Sequence, residues 1–391
     1  MFEPFNFTLP IHIEFGRGVS RKVGELAESM KAKRVLMVTD KGVIKAGLTK
    51  GTIESLDAKN LEYDIFDEVI PNPTDVVVER AAQQVEKGEY DLIVAIGGGS
   101  SMDTGKGAAL LATNPGRIRD YETEAIKNHL TPLITIPTTA GTGSEVDYWA
   151  VITDTDRNFK MALGQAPPYP GGPYLGASAT LVDPLLTMTL PPKQTAATGF
   201  DAFSHALETC VALDAKPFVP SLALYGIELL VENLPIAYAN GSNMDAREAV
   251  MLAAHLGGIC ENFANCGIIH SLAETVGGLY GEVPHGIAIA VFTPPVLEFN
   301  YIANPKMYAK IASAMGEKVE GLSVREAARR VIDASRKFIE DLDLPTSLRD
   351  IGIKKDDLPK IAKMAMDTAE IPGNPRMVAE NSLLDILKRA Y

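Results

Sequence analysis

The segment Asp91-Leu-Ile-Val-Ala-Ile96-Gly97-Gly98-Gly99-Ser100-Ser101-Met102-Asp103 decides the fold of the first half of this chain. Its short apolar run predicts a buried strand, and the glycines after it predict a tight turn into a helix. Glycines at such a turn let the backbone approach a ligand, and the N-terminus of a helix offers N–H groups to a phosphate. We therefore predict a phosphate-binding turn here, with an ordinary strand-to-helix turn as the alternative.

Neither of the two common phosphate-binding motifs matches this turn. A Walker A loop needs Ser or Thr after its lysine, but Gly107 follows Lys106. A Rossmann fingerprint needs a third glycine where Met102 stands. The turn therefore suits a pyrophosphate on a non-Rossmann variant. A second polar turn, residues 137–145, follows the next predicted strand. Its hydroxyls suit a nucleotide, and an ordinary Thr/Ser-rich turn is an equally good interpretation.

The pattern of apolar runs divides the chain into two domains. In residues 1–185, short β-rich runs alternate with helical stretches, which predicts βαβ units and a parallel sheet. In residues 186–391, long runs rich in Ala, Leu and Glu predict an all-α domain. The predicted strands of the first domain are 34–39, 61–66, 91–96 and 132–137, and its predicted helices are 75–87 and 101–112. The predicted helices of the second domain are 192–213, 219–238, 245–264, 268–280, 305–316, 323–342 and 376–390.

Four side chains in the second domain have the composition of a metal site. Asp201 and His205 lie four residues apart, which puts them on one face of a helix. His270 and His285 follow in a second cluster, so that three of the six histidines belong to this set. One carboxylate and three imidazoles suit iron or zinc better than magnesium or calcium, which prefer oxygen ligands. The set predicts a metalloenzyme.

The bulk composition excludes several classes of partner. A net charge of −13 argues against nucleic acid and anionic membranes. We expect no signal peptide and no membrane span, because no apolar run approaches the ~20 residues that a span needs. Three irregularly spaced cysteines indicate no disulfides and fit a reducing cytoplasm. Two of them, Cys260 and Cys266, are candidate soft metal ligands, although small apolar helix residues are the more ordinary interpretation.

With these motifs in order, the chain resembles the iron-containing (group III) alcohol dehydrogenase family, essentially from end to end. The motifs that carry the resemblance are Gly97-Gly98-Gly99-Ser100-x-x-Asp103, Pro137-Thr138-Thr139-Ala140-Gly141-Thr142-Gly143-Ser144-Glu145, Thr198-Gly199-x-Asp201-Ala202-x-x-His205-Ala206-x-Glu208 and Pro284-His285-Gly286. The resemblance implies an α/β dinucleotide-binding domain with a parallel sheet and an all-α metal-binding domain, as in dehydroquinate synthase-like proteins. It also implies NAD(P) in a cleft between the domains, with its nicotinamide beside the metal.

The resemblance assigns residues to both sites. As metal ligands, for Fe²⁺ or alternatively Zn²⁺, it implies Asp201, His205, His270 and His285. As cofactor contacts it implies Asp40, Asn72, Gly98, Gly99, Ser100, Asp103, Thr138, Thr139, Thr142 and Lys160. Asp40, at the end of the first predicted strand, matches the position that favours NAD over NADP. A carboxylate there accepts hydrogen bonds from ribose and repels a 2′-phosphate. A helix N-cap is the other interpretation of Asp40.

Three features depart from the family pattern. His270 and His285 are one residue further apart than the family usually has them, because residues 281–283 lengthen the loop. Glu274 replaces a common histidine; it either relays a proton or binds substrate, or is a solvated helix residue. Trp149 either reshapes the substrate pocket or is a core aromatic. Asp147 and Glu274 together would make the pocket acidic, which favours neutral alcohols or polyols over carboxylated ones.

The resulting prediction is an NAD-dependent alcohol dehydrogenase, or aldehyde reductase in reverse, that acts on a small primary alcohol or polyol. The metal is expected to polarise the substrate oxygen while the nicotinamide exchanges hydride. One alternative is the glycerol dehydrogenase or dehydroquinate synthase branch of the superfamily. The sequence shows no basic cluster for the substrate of a dehydroquinate synthase around residues 198–208 or 268–286. The other alternative is a non-catalytic scaffold. We further expect a cytoplasmic homodimer or higher homo-oligomer.

Overall fold

The structure, a computed structural model, describes residues 4–391. They form two compact units. The α/β unit comprises residues 6–139 and 143–189; the helical unit comprises residues 190–391, residues 140–142 and the described residues up to Phe5. The boundary lies after Thr189, four residues beyond the predicted one, and Leu186 still packs on the core of the α/β unit.

The α/β unit alternates strands and helices as the apolar runs predicted. Its strands are β1 (His12–Phe15), β2 (Arg34–Val38), β3 (Glu62–Phe66), β4 (Leu92–Gly97), β5 (Leu133–Pro137), β6 (Trp149–Asp154), β7 (Phe159–Gly164) and β8 (Ala179–Val182). Its helices are α1 (Val23–Ser29), α2 (Lys41–Lys45), α3 (Lys50–Ala58), α4 (Asp75–Gly88) and α5 (Gly99–Leu111). The four predicted strands and two predicted helices are confirmed to within two residues at each end. The hairpin of β6 and β7 was not predicted.

Six strands form one parallel sheet in the order β1-β8-β5-β4-β2-β3. The central strand β4 is buried along its whole length, which explains why its sequence is uninterrupted by polar residues. Because the strands are parallel, their carboxyl ends meet at one edge. Gly97 at the end of β4 pairs with Pro137 at the end of β5, and β2 lies on the other side of β4. Open parallel sheets bind ligands at this edge.

The helical unit contains nine α-helices among its described residues. They are α6 (Pro192–Val211), α7 (Val219–Ala239), α8 (Met244–Glu261), α9 (Ile268–Leu279), α10 (His285–Asn300), α11 (Pro305–Ala314), α12 (Val324–Asp341), α13 (Leu358–Ala365) and α14 (Glu380–Ala390). The seven predicted helices are present, whereas α10 and α13 were not predicted. The predicted fold class is confirmed.

One helix in the described part of the chain, α7, is long and apolar enough to cross a membrane by length and composition alone. The apolar runs of the sequence, in contrast, predict no membrane span. Two glutamates, Glu228 and Glu232, interrupt the apolar run, and the helix packs on α6 and α8.

Candidate metal and nucleotide sites

The glycine turn joins β4 to α5 at the carboxyl edge of the sheet. Gly97 has a φ of 153°, a conformation that favours glycine, and a Cβ there would lie 2.3 Å from the Ser101 hydroxyl. Gly98 is the N-cap of α5, so Gly99 and Ser100 begin the helix. The first N–H groups of a helix have no acceptor within the helix, and its dipole favours an anion. The local geometry therefore suits the predicted phosphate cradle.

Asp40 follows β2 beside this turn. Its Oδ1 accepts hydrogen bonds from the N–H groups of Gly42 at 2.7 Å and Val43 at 3.0 Å, so it is the N-cap of α2. Its Oδ2 would lie 3.6 Å from a Cβ placed on Gly97. One oxygen thus caps a helix, as the alternative interpretation required, and the other lies near the turn. The two functions are compatible.

The other predicted cofactor contacts are distributed over several loops. Thr138 and Thr139 follow β5, and Thr139 lies 3.4 Å from a Cβ placed on Gly98. Asn72 has a left-handed φ of 54° in the turn before α4. Thr142 belongs to the helical unit.

Asp103 lies behind the glycine turn, on α5, and both of its oxygens accept hydrogen bonds from the protein. The Ser144 hydroxyl donates at 2.5 Å and the N–H of Val151 at 3.1 Å. The positive charge of Lys160, on β7, also acts on Asp103. These two hydrogen bonds give Asp103 a structural function in the α/β unit, and its predicted contact with the cofactor stays a prediction.

Asp147 is part of a buried ion pair. Lys106 Nζ donates to Asp147 Oδ1 and to the Trp149 carbonyl, both at 2.5 Å, and to the Ser144 hydroxyl at 3.1 Å. Burial raises the pKa of Asp147, although Lys106 opposes this. Sequence reasoning noted Lys106 only to reject a Walker motif and missed this pair. Lys106 pairs with the Asp147 carboxylate and ties α5 to the start of β6, and the predicted acidic-pocket function of Asp147 stays a prediction.

Trp149 is the first residue of β6 and is 37% exposed. Its ring covers the backbone of Gly164 on β7, where a Cβ would lie 2.1 Å from the ring. Trp149 is therefore partly exposed, although its ring packs against β7. The structure places it on the hairpin surface of the α/β unit, and its predicted contact with substrate stays a prediction.

The predicted metal ligands converge in the helical unit. Asp201 and His205 lie one turn apart on α6, His270 is in the first turn of α9, and His285 begins α10. The start of α10 approaches α6 closely, because a Cβ on Gly286 would lie 1.9 Å from the Ala197 carbonyl oxygen. The structure thus brings together four residues from a segment of 85 positions, Asp201 to His285.

The spacing of the donor atoms fits a metal ion. The Nε2 atoms of the three histidines lie 4.0 Å (His205), 3.8 Å (His270) and 3.6 Å (His285) from Oδ1 of Asp201. These distances exceed a hydrogen bond, and two ligands of one tetrahedral ion lie about 3.4 Å apart. Asp201 Oδ1 and His270 Nε2 are buried without hydrogen bonds. Buried polar atoms of this kind are costly unless something binds them, and a divalent cation would satisfy both.

The charge state of the site also suits a cation. Burial would raise the pKa of Asp201, but His205 and His285 lower it below its ordinary value, so the carboxylate is ionised. Burial lowers the pKa of His205 to about 4, so its imidazole is neutral at pH 7 and has a lone pair to donate.

Glu208, three residues after His205 on α6, orients His270. Its Oε2 is 2.6 Å from Nδ1 of His270, and its Oε1 accepts from the N–H of Ile269 at 2.9 Å. An ionised carboxylate only accepts hydrogen bonds, so Nδ1 of His270 carries a proton and Nε2 is the ring nitrogen left for a metal ion. The signal was present in the sequence, since residues 201, 205 and 208 share one helix face.

Cys266 and Cys260 differ in their relation to the histidines. Cys266 lies close to two of the histidines: its Sγ atom, one ring nitrogen of His205 and one ring nitrogen of His270 are all within 4.8 Å of one another. Cys260 lies on α8 with its Sγ 3.9 Å from the Val219 carbonyl. Burial raises the pKa of both thiols, so both are neutral in the absence of an ion. Only Cys266 belongs to a histidine cluster.

Glu274 lies one turn after His270 on α9 and is partly buried. It therefore shares the helix face of a predicted ligand. The longer loop before His285 occupies residues 280–284, between α9 and α10, and leaves both helices intact.

Comparison with known proteins identifies the family of this chain. Residues 10–175 match the family model described as iron-containing alcohol dehydrogenase, and residues 195–391 match the C-terminal model of the Fe-containing alcohol dehydrogenase family. The chain is 38% identical to 1,3-propanediol dehydrogenase of Klebsiella pneumoniae over 393 aligned positions, which cover all of both chains. It is 36% identical to NAD-dependent methanol dehydrogenase of Bacillus methanolicus, covering 98% of this chain and 99% of that one. A solved structure of a 1,3-propanediol oxidoreductase superimposes with a TM-score of 0.95 at 38% identity, covering all of both chains.

A parallel-sheet nucleotide-binding unit and a helical unit with a mostly buried Asp-His-His-His cluster are typical of a metal-dependent dehydrogenase. The family matches cover most of the length of the chain. The chain belongs to the iron-containing alcohol dehydrogenase family. Its reaction is that of an NAD-dependent alcohol dehydrogenase, or of an aldehyde reductase in the reverse direction.

Proposed function

We propose that this enzyme uses Fe²⁺, held by Asp201, His205, His270 and His285, to interconvert an uncharged small primary alcohol or polyol and its aldehyde with NAD(H). The observation that carries the proposal is the convergence of three Nε2 atoms on one buried carboxylate oxygen, at 3.6 to 4.0 Å. When bound, the ion supplies Lewis-acid polarisation of the substrate oxygen, and the nicotinamide supplies or accepts the hydride.

The protein side chains hold the ion and fix its charge. Asp201 contributes one negative charge, and a neutral His205 contributes none. Glu208 fixes the His270 ring so that Nε2 is the donor. A divalent cation at this site therefore keeps most of its positive charge for a substrate oxygen.

NAD(H) binds, in this proposal, at the carboxyl edge of the sheet. The pyrophosphate lies on the N–H groups of Gly99 and Ser100, beside Thr138 and Thr139. Asp40 Oδ2 accepts from the adenosine ribose while Oδ1 caps α2. The charge of Asp40 then disfavours the 2′-phosphate of NADP.

Glu274 is the proposed proton carrier, because it lies one turn from His270 on the same helix face. The choice of an uncharged alcohol has two supports. The relatives are named for a diol and for methanol, and a pocket that contains the carboxylate of Glu274 would disfavour a carboxylated substrate. We further propose a cytoplasmic homo-oligomer.

The test is anaerobic reconstitution of metal-free protein with Fe²⁺ or Zn²⁺, followed by activity measurements with NAD and NADP. The substrates are methanol, 1-butanol, 1,3-propanediol, glycerol and 4-hydroxybutyrate. We expect Fe²⁺-dependent NADH formation from uncharged alcohols and little from 4-hydroxybutyrate. Comparable turnover of 4-hydroxybutyrate and 1-butanol would contradict the proposed preference for uncharged substrates. Absence of any alcohol-dependent NADH formation would contradict the proposed activity.

Metal dependence is tested by His270→Ala. Removal of one of four ligands should abolish metal retention and activity together, as metal analysis and NADH formation would show. Full activity in metal-free His270→Ala protein would refute the proposed function of the ion.

A further inference from the structure

A second set of donor atoms surrounds two of the predicted iron ligands. Cys266 Sγ and one ring nitrogen each of His205 and His270 all lie within 4.8 Å of one another. Glu261 joins this group, because its Oε1 is 3.3 Å from His205 Nε2 and 3.6 Å from Cys266 Sγ. The group contains two imidazoles, one thiol and one carboxyl, which are the ligand types of tetrahedral zinc sites.

These donors come from elements that hold them in place. His205 and His270 stack with ring centroids 4.5 Å apart. Glu261 is the last residue of α8, and Cys266 lies in the short connection to α9. Cys266, His205 and His270 are buried. Small side-chain rotations bring donors at such separations onto one ion, since Zn–N and Zn–S bonds are about 2.0–2.3 Å long.

The second set shares its histidines with the first. Nδ1 of His270 is bound to Glu208, so one nitrogen of that ring remains for a cation. His205 Nε2 faces both Asp201 Oδ1, at 4.0 Å, and Glu261 Oε1, at 3.3 Å. An imidazole nitrogen binds one ion at a time. The two sets are therefore alternative positions for a single ion.

We propose that His205, His270, Cys266 and Glu261 form a second cation position, which takes a thiophilic divalent ion such as Zn²⁺ in place of the ion on Asp201 and His285. This inference rests on the proposed metal function of His205 and His270. Thiolate ligands select Zn²⁺, whereas the first set has only nitrogen and oxygen donors. An ion in the second position is displaced from Asp201 and His285, so Zn²⁺ there inhibits the Fe²⁺ enzyme.

Cobalt is a probe that reports sulfur directly, because a bound thiolate gives Co²⁺ a near-ultraviolet charge-transfer band. We would load full-length metal-free protein with one equivalent of Co²⁺ in three backgrounds: His285→Ala, His285→Ala/Cys266→Ser and His285→Ala/Cys260→Ser. Loss of His285 weakens the first position and leaves the second intact. Cys260→Ser is the matched control, since Cys260 is also buried and lies outside the histidine cluster.

We expect the sulfur band in His285→Ala and in its Cys260→Ser derivative, and no band in its Cys266→Ser derivative. In the background with His285 intact, Cys266→Ser should weaken Zn²⁺ binding by about tenfold or more and change Fe²⁺ binding by less than about twofold, because the thiolate favours the softer site. Bound Co²⁺ in His285→Ala without a Cys266-dependent band overturns the second position. If the Fe²⁺ wild type oxidises alcohols normally in that case, only this inference fails. If the wild type binds neither Co²⁺ nor Fe²⁺, the proposed function fails as well.

Discussion

Substitution of Glu208 by Gln tests whether a residue that does not touch the ion controls its binding. Both carboxylate oxygens of Glu208 accept hydrogen bonds: Oε1 from the N–H of Ile269, and Oε2 from the N–H and Nδ1 of His270. Gln has one acceptor oxygen and one amide donor. If the oxygen keeps the Ile269 bond, the amide group faces two N–H donors of His270.

The least costly response is a change of tautomer at His270. The ring then accepts from the Gln amide at Nδ1 and carries its proton on Nε2, where the ion must bind. Loss of such an orienting partner lowers metal affinity by about 10- to 100-fold, which corresponds to about 1.4–2.8 kcal/mol. The short distance of 2.6 Å and the burial of Glu208 favour the upper part of this range.

The assay is anaerobic competition of the protein with a chelator for Fe²⁺, with Thr209→Val as the control. Thr209 is the next residue of α6 and is also buried, but its hydroxyl donates to helix carbonyls, including that of His205 at 2.6 Å. Both variants should lose some stability, which thermal unfolding of the metal-free protein measures. Only Glu208→Gln should lose metal affinity. The expected loss of Fe²⁺ affinity in Glu208→Gln is about 10- to 100-fold. An affinity within about twofold of the wild-type value would show that Glu208 does not control metal binding.

Further substitutions test the α/β unit. Gly98→Ala should fold normally, because the added Cβ would lie 3.4 Å from Thr139, an ordinary contact distance. Calorimetry should nevertheless show at least about tenfold weaker NAD(H) binding, since the methyl group would stand where the phosphate binds. Unchanged binding would exclude the phosphate cradle. Asp40→Asn keeps a cap oxygen for α2 and removes the negative charge, so kcat/KM with NADP should rise relative to kcat/KM with NAD. Asp40→Ala should have the same effect on cofactor preference and should also lower the free energy of unfolding by about 1 kcal/mol, because α2 loses its N-cap. Lys106→Met leaves the Asp147 carboxylate buried without its ion-pair partner, which should lower the free energy of unfolding by about 3–5 kcal/mol in denaturant titrations. The double variant Lys106→Met/Asp147→Asn should recover much of that stability. A Lys106→Met protein as stable as the wild type would show that the ion pair is unimportant.

The elements that the sequence predicted are those with a strong local pattern. β4 is a continuous apolar run closed by glycines, and α6 and α12 have long runs of good helix formers. α10 escaped prediction for a local reason too. It contains Pro294 and Pro295 and is buried over most of its length, so it has no polar face to reveal a helical period.

The candidate site was predictable in its ligands and less so in their surroundings. Asp201 and His205 follow from helix spacing, but the meeting of His270 and His285 with them depends on how α9 and α10 pack against α6. Asp147 could not be interpreted locally, because its partner Lys106 lies 41 residues away. Cys260 and Cys266 are six positions apart and offered the same signal. The structure separates them, because α8 ends at Glu261. Cys260 stays on that helix, whereas Cys266 lies in the connection to α9, beside His205 and His270.

Glu208 and Cys266 act on the same pair of histidines in different ways. Because Glu208 occupies Nδ1 of His270, either donor set must use Nε2. Loss of Glu208 therefore weakens both cation positions together and leaves the ratio of Fe²⁺ to Zn²⁺ affinity close to that of the wild type. Loss of Cys266 weakens only one position and shifts that ratio toward Fe²⁺. Imidazole and carboxylate accept both metals, so the four ligands alone do not separate them. We therefore expect the groups around the histidines to determine which metal is bound.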